Sequence, residues 1–293
     1  FAVKYGVDIP QEGYAEQDPE MWWESLKIVL RRLDTSYPAE YAAISAIGLS
    51  GQMHGLISVD AQGRPVHPAV IWLDQRAGKQ LEYIQNTLTA EDMGQAFCNR
   101  VAAGYAFPSL MWLRDNRPEV YENISHIMMP KDYLRYRLTG EIKTDFSDAS
   151  SSLLFNVRER KWNWDIIDRF GFRRSLFPVC GRSAGISGFV TKECERECGL
   201  KQGIPVVFGS GDQPAQSIGN GAYSEGTVIS NIGTGGQLSA FIKEPAYDSR
   251  LRTHTFCHAI DDAYTIYGAT LCSGLSMNWL QDTFFRDLSF EDM

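Results

Sequence analysis

With 293 residues, 44% of them hydrophobic and 22% charged, the chain holds apolar material for roughly two domains of about 150 residues, which excludes disorder. A formal net charge of -8 with no run of Lys or Arg excludes a surface built for nucleic acid or anionic lipid. Six scattered cysteines (98, 180, 194, 198, 257 and 272) make no disulfide framework, and no apolar stretch approaches the ~20 residues of a membrane span. Phe1-Ala2-Val3-Lys4 has no signal-peptide organisation, so a reduced cytoplasm is the expected address. Val3, Tyr5 and Val7 alternate as if inside a domain rather than at its start.

The first expected element is a helix over about 18–34, with Asp18 as N-cap, Pro19 at the first helical position, and Trp22, Leu26, Leu30 and Leu33 at helical spacing. Strands follow at 43–49 and 56–59, and a turn at Gly63 leads into a third at 66–72, forming a hairpin. A polar helix is expected at 76–88, then one near 108–114 with Leu110, Trp112 and Leu113. A short strand ends at Met129-Pro130, and the helix after it, with Tyr133, Leu134 and Leu138, stops at Gly140. The serine-rich stretch 147–152 reads as a turn, and 161–200 as aromatic and loop-rich. Cys194 and Cys198, four apart among charged residues, are expected on one face of a solvated helix, without metal. The apolar run 204–208 reads as a central strand ending in Gly209-Ser210-Gly211-Asp212, with a helix starting near Pro214. A strand and tight turn at 226–236, a strand at 263–270 and a helix at 273–285 complete the chain. This mixture gives an α/β or α+β protein with a domain junction near 220–225.

Four constellations carry chemistry. Gly48-Leu49-Ser50-Gly51-Gln52-Met53-His54-Gly55 follows an apolar strand, and Gln52 and His54 suit hydroxyl groups, unless this is a glycine turn with a structural His. Gln52 stands where a hydrolase elbow needs glycine. In Trp72-Leu73-Asp74-Gln75-Arg76, Asp74 and Arg76 either grip substrate hydroxyls beside a Trp72 wall or form a cap and surface pair. Asp212 sits at a strand end, where α/β sheets bind ligands, or else caps the following helix. Glycines around Thr234, in Asn231-Ile232-Gly233-Thr234-Gly235-Gly236-Gln237, make an anion nest or an ordinary β-turn. GxxxxGK[ST] and GxGxxG are both missing, which argues against a P-loop or a Rossmann site. His254 and His258, flanking Cys257, read as structural histidines rather than a zinc site.

Together and in order, these segments resemble the FGGY carbohydrate kinases, in particular their xylulokinase branch. The resemblance is carried by Gly51-Gln52-Met53-His54-Gly55, by 68–76, by 129–141, by Thr144-Asp145-Phe146-Ser147-Asp148-Ala149-Ser150, by Gly211-Asp212-Gln213, by Ile232-Gly233-Thr234-Gly235-Gly236 and by His254-Thr255-Phe256-Cys257-His258-Ala259. Ser109 stands where such kinases usually carry Lys. The resemblance implies an actin-like, ribonuclease-H-like α/β fold of two domains. Residues 1–222 are expected to be most of the first, without its opening strand and phosphate motif, and 223–293 the truncated start of the second. It also implies phosphorylation of a sugar primary hydroxyl by ATP with Mg2+, D-xylulose to its 5-phosphate in the first instance. Asp212 would be the base, with Gln52, Met53, His54, Trp72, Asp74, Arg76 and Gln213 around the sugar, and Gly233, Thr234 and Gly235 at the phosphate. The partners so implied are small molecules, without nucleic acid or membrane, and the chain is compatible with a homodimer. Alternatives are another substrate of the family (ribulose, gluconate, glycerol or a deoxy sugar) or a sugar-binding protein without kinase activity.

Overall fold

The structure is a computed structural model that describes residues 1–293 except Thr234 and Leu271. Its first long element is the helix Pro19–Ser36, which begins as the local signals dictate: Asp18 accepts from Glu20 N at 2.9 Å and Pro19 opens the first turn. Trp23 is buried from this helix with Tyr41, Leu138, Val190 and Val206, and Leu26, Leu30 and Leu33 pack against that cluster. The helix Pro130–Thr139 joins the same core and ends at Gly140, whose φ of 73° closes the last turn.

The strands are shorter than expected. Of 43–49, Ile47 alone makes a strand bridge, parallel to Val206, and the ladder proper is Ser50–Gly51 paired parallel with Ser210–Gly211. Of 66–72, Ala69–Val70 is strand, paired with Glu16–Gln17. The Gly63 hairpin is present: Gly63 has a φ of 74°, its N–H donates to Asp60 O, and Val59 bridges Pro65. Helices at Gly78–Thr87 and Ala106–Asn116 match their sequence signals, and Ala90–Phe97, with a Thr89/Asp92 capping box, adds one. Ser109 in the Ala106–Asn116 helix is buried, and its hydroxyl finds no partner.

The serine-rich stretch is not a turn. It is the helix Phe146–Ser151, capped by Asp145 and buried from Ser147 to Ser151. Serine usually competes with the backbone and breaks helices. Here Ser150 and Ser151 donate to carbonyls three residues back, and their oxygens accept from distant backbone N–H groups, so the polar atoms are satisfied in the core. Cys194 and Cys198 do share one face of a helix, Lys192–Cys198, but that face is buried against Trp23 and Val206, not solvated.

After the helix Asp212–Gly219 comes an antiparallel four-stranded sheet in the order Val228–Ile232, Gly236–Ile242, Tyr264–Thr270, His254–Cys257. Phe256, Cys257, Tyr264 and Tyr267 enter the same hydrophobic cluster as Met53, Tyr105, Phe107 and Phe155. The last sheet and the glycine-rich loop near 52 therefore share one core. The helix Gly274–Phe284 keeps Leu275 and Trp279 exposed rather than buried.

A methyl group at Gly140 has room, its nearest neighbour being Thr191 Cγ2 at 3.9 Å. Gly140→Ala therefore isolates the backbone term, and urea denaturation is expected to show a loss of about 1 kcal/mol. Unchanged stability would contradict the left-handed cap.

Candidate active site

Two adjacent parallel strand ends build the site. Gly51 pairs with Gly211, so the residues that follow, Gln52-Met53-His54 on one strand and Asp212-Gln213 on the other, emerge side by side. Close packing of neighbouring side chains favours glycine at both. A side chain at Gly211 would strike Met53 Cγ at 2.5 Å, and one at Gly51 would meet Lys131 Cβ at 3.0 Å.

Beneath the two glycines lies a buried charge cluster. Lys131 Nζ is 2.7 Å from Asp132, 2.7 Å from Asp145 and 3.0 Å from Asp148, and all four side chains are at most 1% exposed. Arg135 adds a second cation, 2.8 Å from Asp132. Among the described residues these three aspartates are spaced like metal ligands, but the Lys131 ammonium fills the space between them. Burial opposes the Lys131 charge, yet the surrounding carboxylates outweigh it and raise its pKa. Burial also opposes ionisation of Asp132, and there Lys131 and Arg135 prevail and lower it. Two cations cannot serve three carboxylates equally. Asp148 is the one left over: burial, with Asp145 and Asp132 nearby, pushes its pKa far above the usual range despite Lys131.

The serine helix ties this base to the strand ends. Gly211 N donates to Ser147 Oγ at 3.0 Å, His54 N to Ser151 Oγ at 3.3 Å, and Cys257 N to Ser150 Oγ at 3.0 Å. One turn and a half of helix thus fixes the Asp212 strand, the His54 loop and the last sheet.

His54 has a φ of 72°, a strained value for a non-glycine residue, which turns its ring between Tyr105 (4.2 Å between centroids) and Phe256 (5.5 Å). Its Nδ1 lies 3.2 Å from Ser151 O. A carbonyl only accepts, so Nδ1 carries the proton and Nε2 is left as an acceptor. Burial lowers the His54 pKa to about 4, keeping the ring neutral. Tyr105 faces Tyr267, which also senses the Asp212 charge, and His254 lies 5.3 Å from Tyr267.

Asp212 does not cap its helix. Gly211 is the N-cap and Asp212 the first helical residue, its Oδ1 accepting from Gln213 N at 2.8 Å. The carboxylate reaches solvent, but the protein around it removes hydration and raises its pKa, partly offset by the Gln213 amide.

Asp74 and Arg76 do not join this group. Both are buried and bonded to each other, Arg76 NH2 lying 2.7 Å from Asp74 Oδ2. Asp74 also accepts from Ala15 N at 2.6 Å, while Arg76 pairs with Glu16 at 2.6 Å and lies over Tyr14 and Trp112. Their polar atoms are spent on the protein, so neither the substrate-gripping pair nor the surface pair fits the geometry; they frame the chain behind the site. Trp72 on the same loop is 51% exposed, its carbonyl against Gly104. His258 is structural, its Nδ1 accepting from Ile260 N, and Cys257 Sγ faces Val157 O.

Of the phosphate group of residues, Thr234 lies outside the described residues. The strands on either side of it are paired, with Ile232 opposite Gly236. The space around Gly233 is open, and its carbonyl accepts from Gly274 N at 2.9 Å, so the N-terminus of the Gly274–Phe284 helix abuts Gly233. Gly233 N itself donates to Gly235 O at 2.9 Å, so that amide is engaged within the protein. Sequence reasoning missed Tyr105, Lys131, Asp148 and Tyr267 as parts of the site. Lys131, Asp132 and the serines stood inside quoted motifs, but nothing local showed that they were buried.

Comparison with known proteins identifies the family to which this architecture belongs. Residues 2–219 match the model of the FGGY family of carbohydrate kinases, N-terminal domain, and the chain belongs to that family. It is 35% identical over 292 residues to the xylulose kinase of Lactococcus lactis, covering 100% of this chain and 58% of that protein. It is 36% identical over 283 residues to the xylulose kinase of Staphylococcus epidermidis, covering 96% and 56%. Among solved structures, a xyloylose kinase from Brucella ovis superposes with a TM-score of 0.90 at 28% identity, covering 95% of this chain and 57% of that one. The chain thus spans 58% or less of the length of these relatives. The expected actin-like sugar-kinase fold is the one observed.

Because Asp148 has a raised folded pKa, the stability linked to it is full below the unfolded value and is lost as pH rises toward the folded one. Asp148→Asn removes that loss, so its stability relative to the parent should climb as pH rises above about 4. Asp132→Asn, by contrast, removes the carboxylate that Lys131 and Arg135 share and should cost about 3 kcal/mol at pH 7. Urea titrations of both variants across this range check the contrast; equal losses at every pH would contradict the assignment.

Proposed function

We propose that this chain is the sugar-binding and base-bearing part of an ATP-dependent kinase that phosphorylates D-xylulose at its 5-hydroxyl. The observation that carries the reading is the Gly51–Gly211 register, which sets Asp212 beside Gln52 and His54 at the ends of two parallel strands. The names of its relatives, xylulose kinases, supply the sugar. We place the domain boundary at 222/223, so that residues 1–222 hold the sugar and residues 223–293 begin the nucleotide domain. We place the enzyme in the cytoplasm; no helix among the described residues is long and apolar enough to cross a membrane.

In this mechanism the site offers acceptors to a ligand rich in donors. His54 Nε2 and the Asp212 carboxylate take hydroxyl protons, Met53 gives an apolar contact, and Gln213 flanks the base. The 5-hydroxyl oxygen attacks the γ-phosphorus of ATP, an O–P bond forms as the bond to the β-phosphate oxygen breaks, and ADP leaves. The proton passes to Asp212. The transition state is loose, so the hydroxyl becomes acidic late and a carboxylate suffices as base. Gly233, Thr234 and Gly235 would hold the γ-phosphate, the Gly233 amide exchanging Gly235 O for the ligand, and Mg2+ bound with ATP would neutralise its charge. Tyr105 and Phe256 around His54 keep water from that side of the sugar.

Asp212→Asn, assayed in the polypeptide as it occurs in the cell, should lower kcat by about 10²–10⁴ and leave D-xylulose affinity within a few-fold. In the parent, kcat/KM should fall at low pH with a midpoint above the ordinary carboxylate value of 3.8, since burial raises Asp212. A panel of xylulose, ribulose, gluconate and glycerol tests the sugar. Retention of more than a few per cent of turnover in the variant would remove Asp212 as base, and preference for another compound would overturn xylulose.

A further inference from the structure

His254–Cys257 is the edge strand of the last sheet, and among the described residues no further strand covers its outer side. Thr255, Phe256 and Cys257 are nonetheless buried, and buried backbone polar groups need partners. Two side chains from the first 222 residues supply them. Asn99 Oδ1 accepts from Thr255 N at 2.9 Å while its Nδ2 donates to Thr255 O at 2.7 Å, the pair of bonds a neighbouring strand residue would make. Two residues along the same edge, Cys257 N donates to Ser150 Oγ at 3.0 Å. The partners fix which way the Asn99 amide points. A backbone N–H only donates, so the atom facing it is the oxygen. The second Nδ2 hydrogen goes to Phe97 O at 2.7 Å, so none is left over. Cys98, with a φ of 58°, ends the helix Ala90–Phe97 and turns Asn99 toward the strand.

This clamp places a face of aromatic rings. Side chains alternate along a strand, so His254 and Phe256 share one face, their rings stacked with centroids 6.2 Å apart. Tyr267, opposite His254 on the next strand, joins them at 5.3 Å from His254 and 5.7 Å from Phe256. That face meets the glycine-rich loop, where Phe256 lies 5.5 Å from the His54 ring. A strand edge repeats every two residues, so a slide of one repeat would carry the rings about 7 Å along the strand. From this arrangement we infer that Asn99 is a positioning residue for the sugar site: standing in for a strand, it sets where Phe256, with His254 and Tyr267, meets His54. The inference rests on the sugar reading of the His54 loop and extends it. Asn99 is buried with its bonds spent on the protein, so it acts through Phe256 and not on the ligand.

The test uses the intact enzyme. Asn99→Leu keeps most of the volume and removes all three bonds; the KM for D-xylulose should rise about tenfold while kcat stays within about threefold. Asn99→Ser is smaller but polar and leaves room for a water to bridge to Thr255, so its KM should rise about threefold. The serine variant carries the test should the leucine variant not fold. Loss of folded protein lowers the apparent kcat but not KM, so these shifts separate placement from stability. A residue serving packing alone would leave KM at the parent value in both variants, and that result would overturn the proposal. Amide exchange across 254–257, read by mass spectrometry without sugar, tests the clamp apart from the function. Slow exchange in the parent, faster in Asn99→Ser and fastest in Asn99→Leu, supports the clamp even if no sugar of the panel binds; the sugar reading alone then fails. Exchange equally slow in all three, alongside normal phosphorylation of xylulose, would sink the clamp and leave the function standing.

Discussion

The site depends on one buried cation. Lys131 lies under Gly51 and touches Asp132, Asp145 and Asp148, and Asp148 Oδ1 lies 3.1 Å from where a side chain at Gly211 would begin. Removing an ammonium from water costs several kcal/mol, and this is recovered only if its partners stay in place. That condition holds the helix Pro130–Thr139, the capping residue Asp145 and the helix Phe146–Ser151 to one another. The two strand ends rest on the result. The cluster is thus better understood as a constraint on geometry than as a source of net stability.

From that base the serine helix distributes position. Ser147, Ser150 and Ser151 each donate locally and accept from a remote backbone N–H, at Gly211, Cys257 and His54 respectively. Serine is small enough to let all three segments approach, and it offers an acceptor where a larger polar side chain would not fit. The strand end that precedes Asp212 and the His54 loop are therefore held by hydrogen bonds to one rigid element. Such preorganisation is what a reaction dominated by positioning needs. The strained His54 backbone, φ 72°, is held by the same serine helix through Ser151.

Much of this was legible in the sequence because its signals are local. Asp18-Pro19, Gly140 and the glycines about Asp212 announce caps and strand ends within a few residues, and the helices and the strand-end acid stand where those signals put them. What stayed hidden depends on burial by distant partners. Serines 147–152 read as a turn because their acceptors meet Gly211, Cys257 and His54, which no window around 150 contains. Asp74 and Arg76 read as substrate ligands or a surface pair because Tyr14, Glu16 and Trp112, which enclose Arg76, are remote in sequence. Charged neighbours made Cys194 and Cys198 look solvated, although their spacing of four shows a shared face.

The central claim is that the acceptors at the two strand ends meet the hydroxyls of one sugar. A high-resolution crystal structure with bound D-xylulose measures this most directly. The account predicts the 5-hydroxyl within about 2.5–3.0 Å of the Asp212 carboxylate, with another hydroxyl donating to His54 Nε2. Sugar bound elsewhere, or with its primary hydroxyl turned away from Asp212, would contradict it.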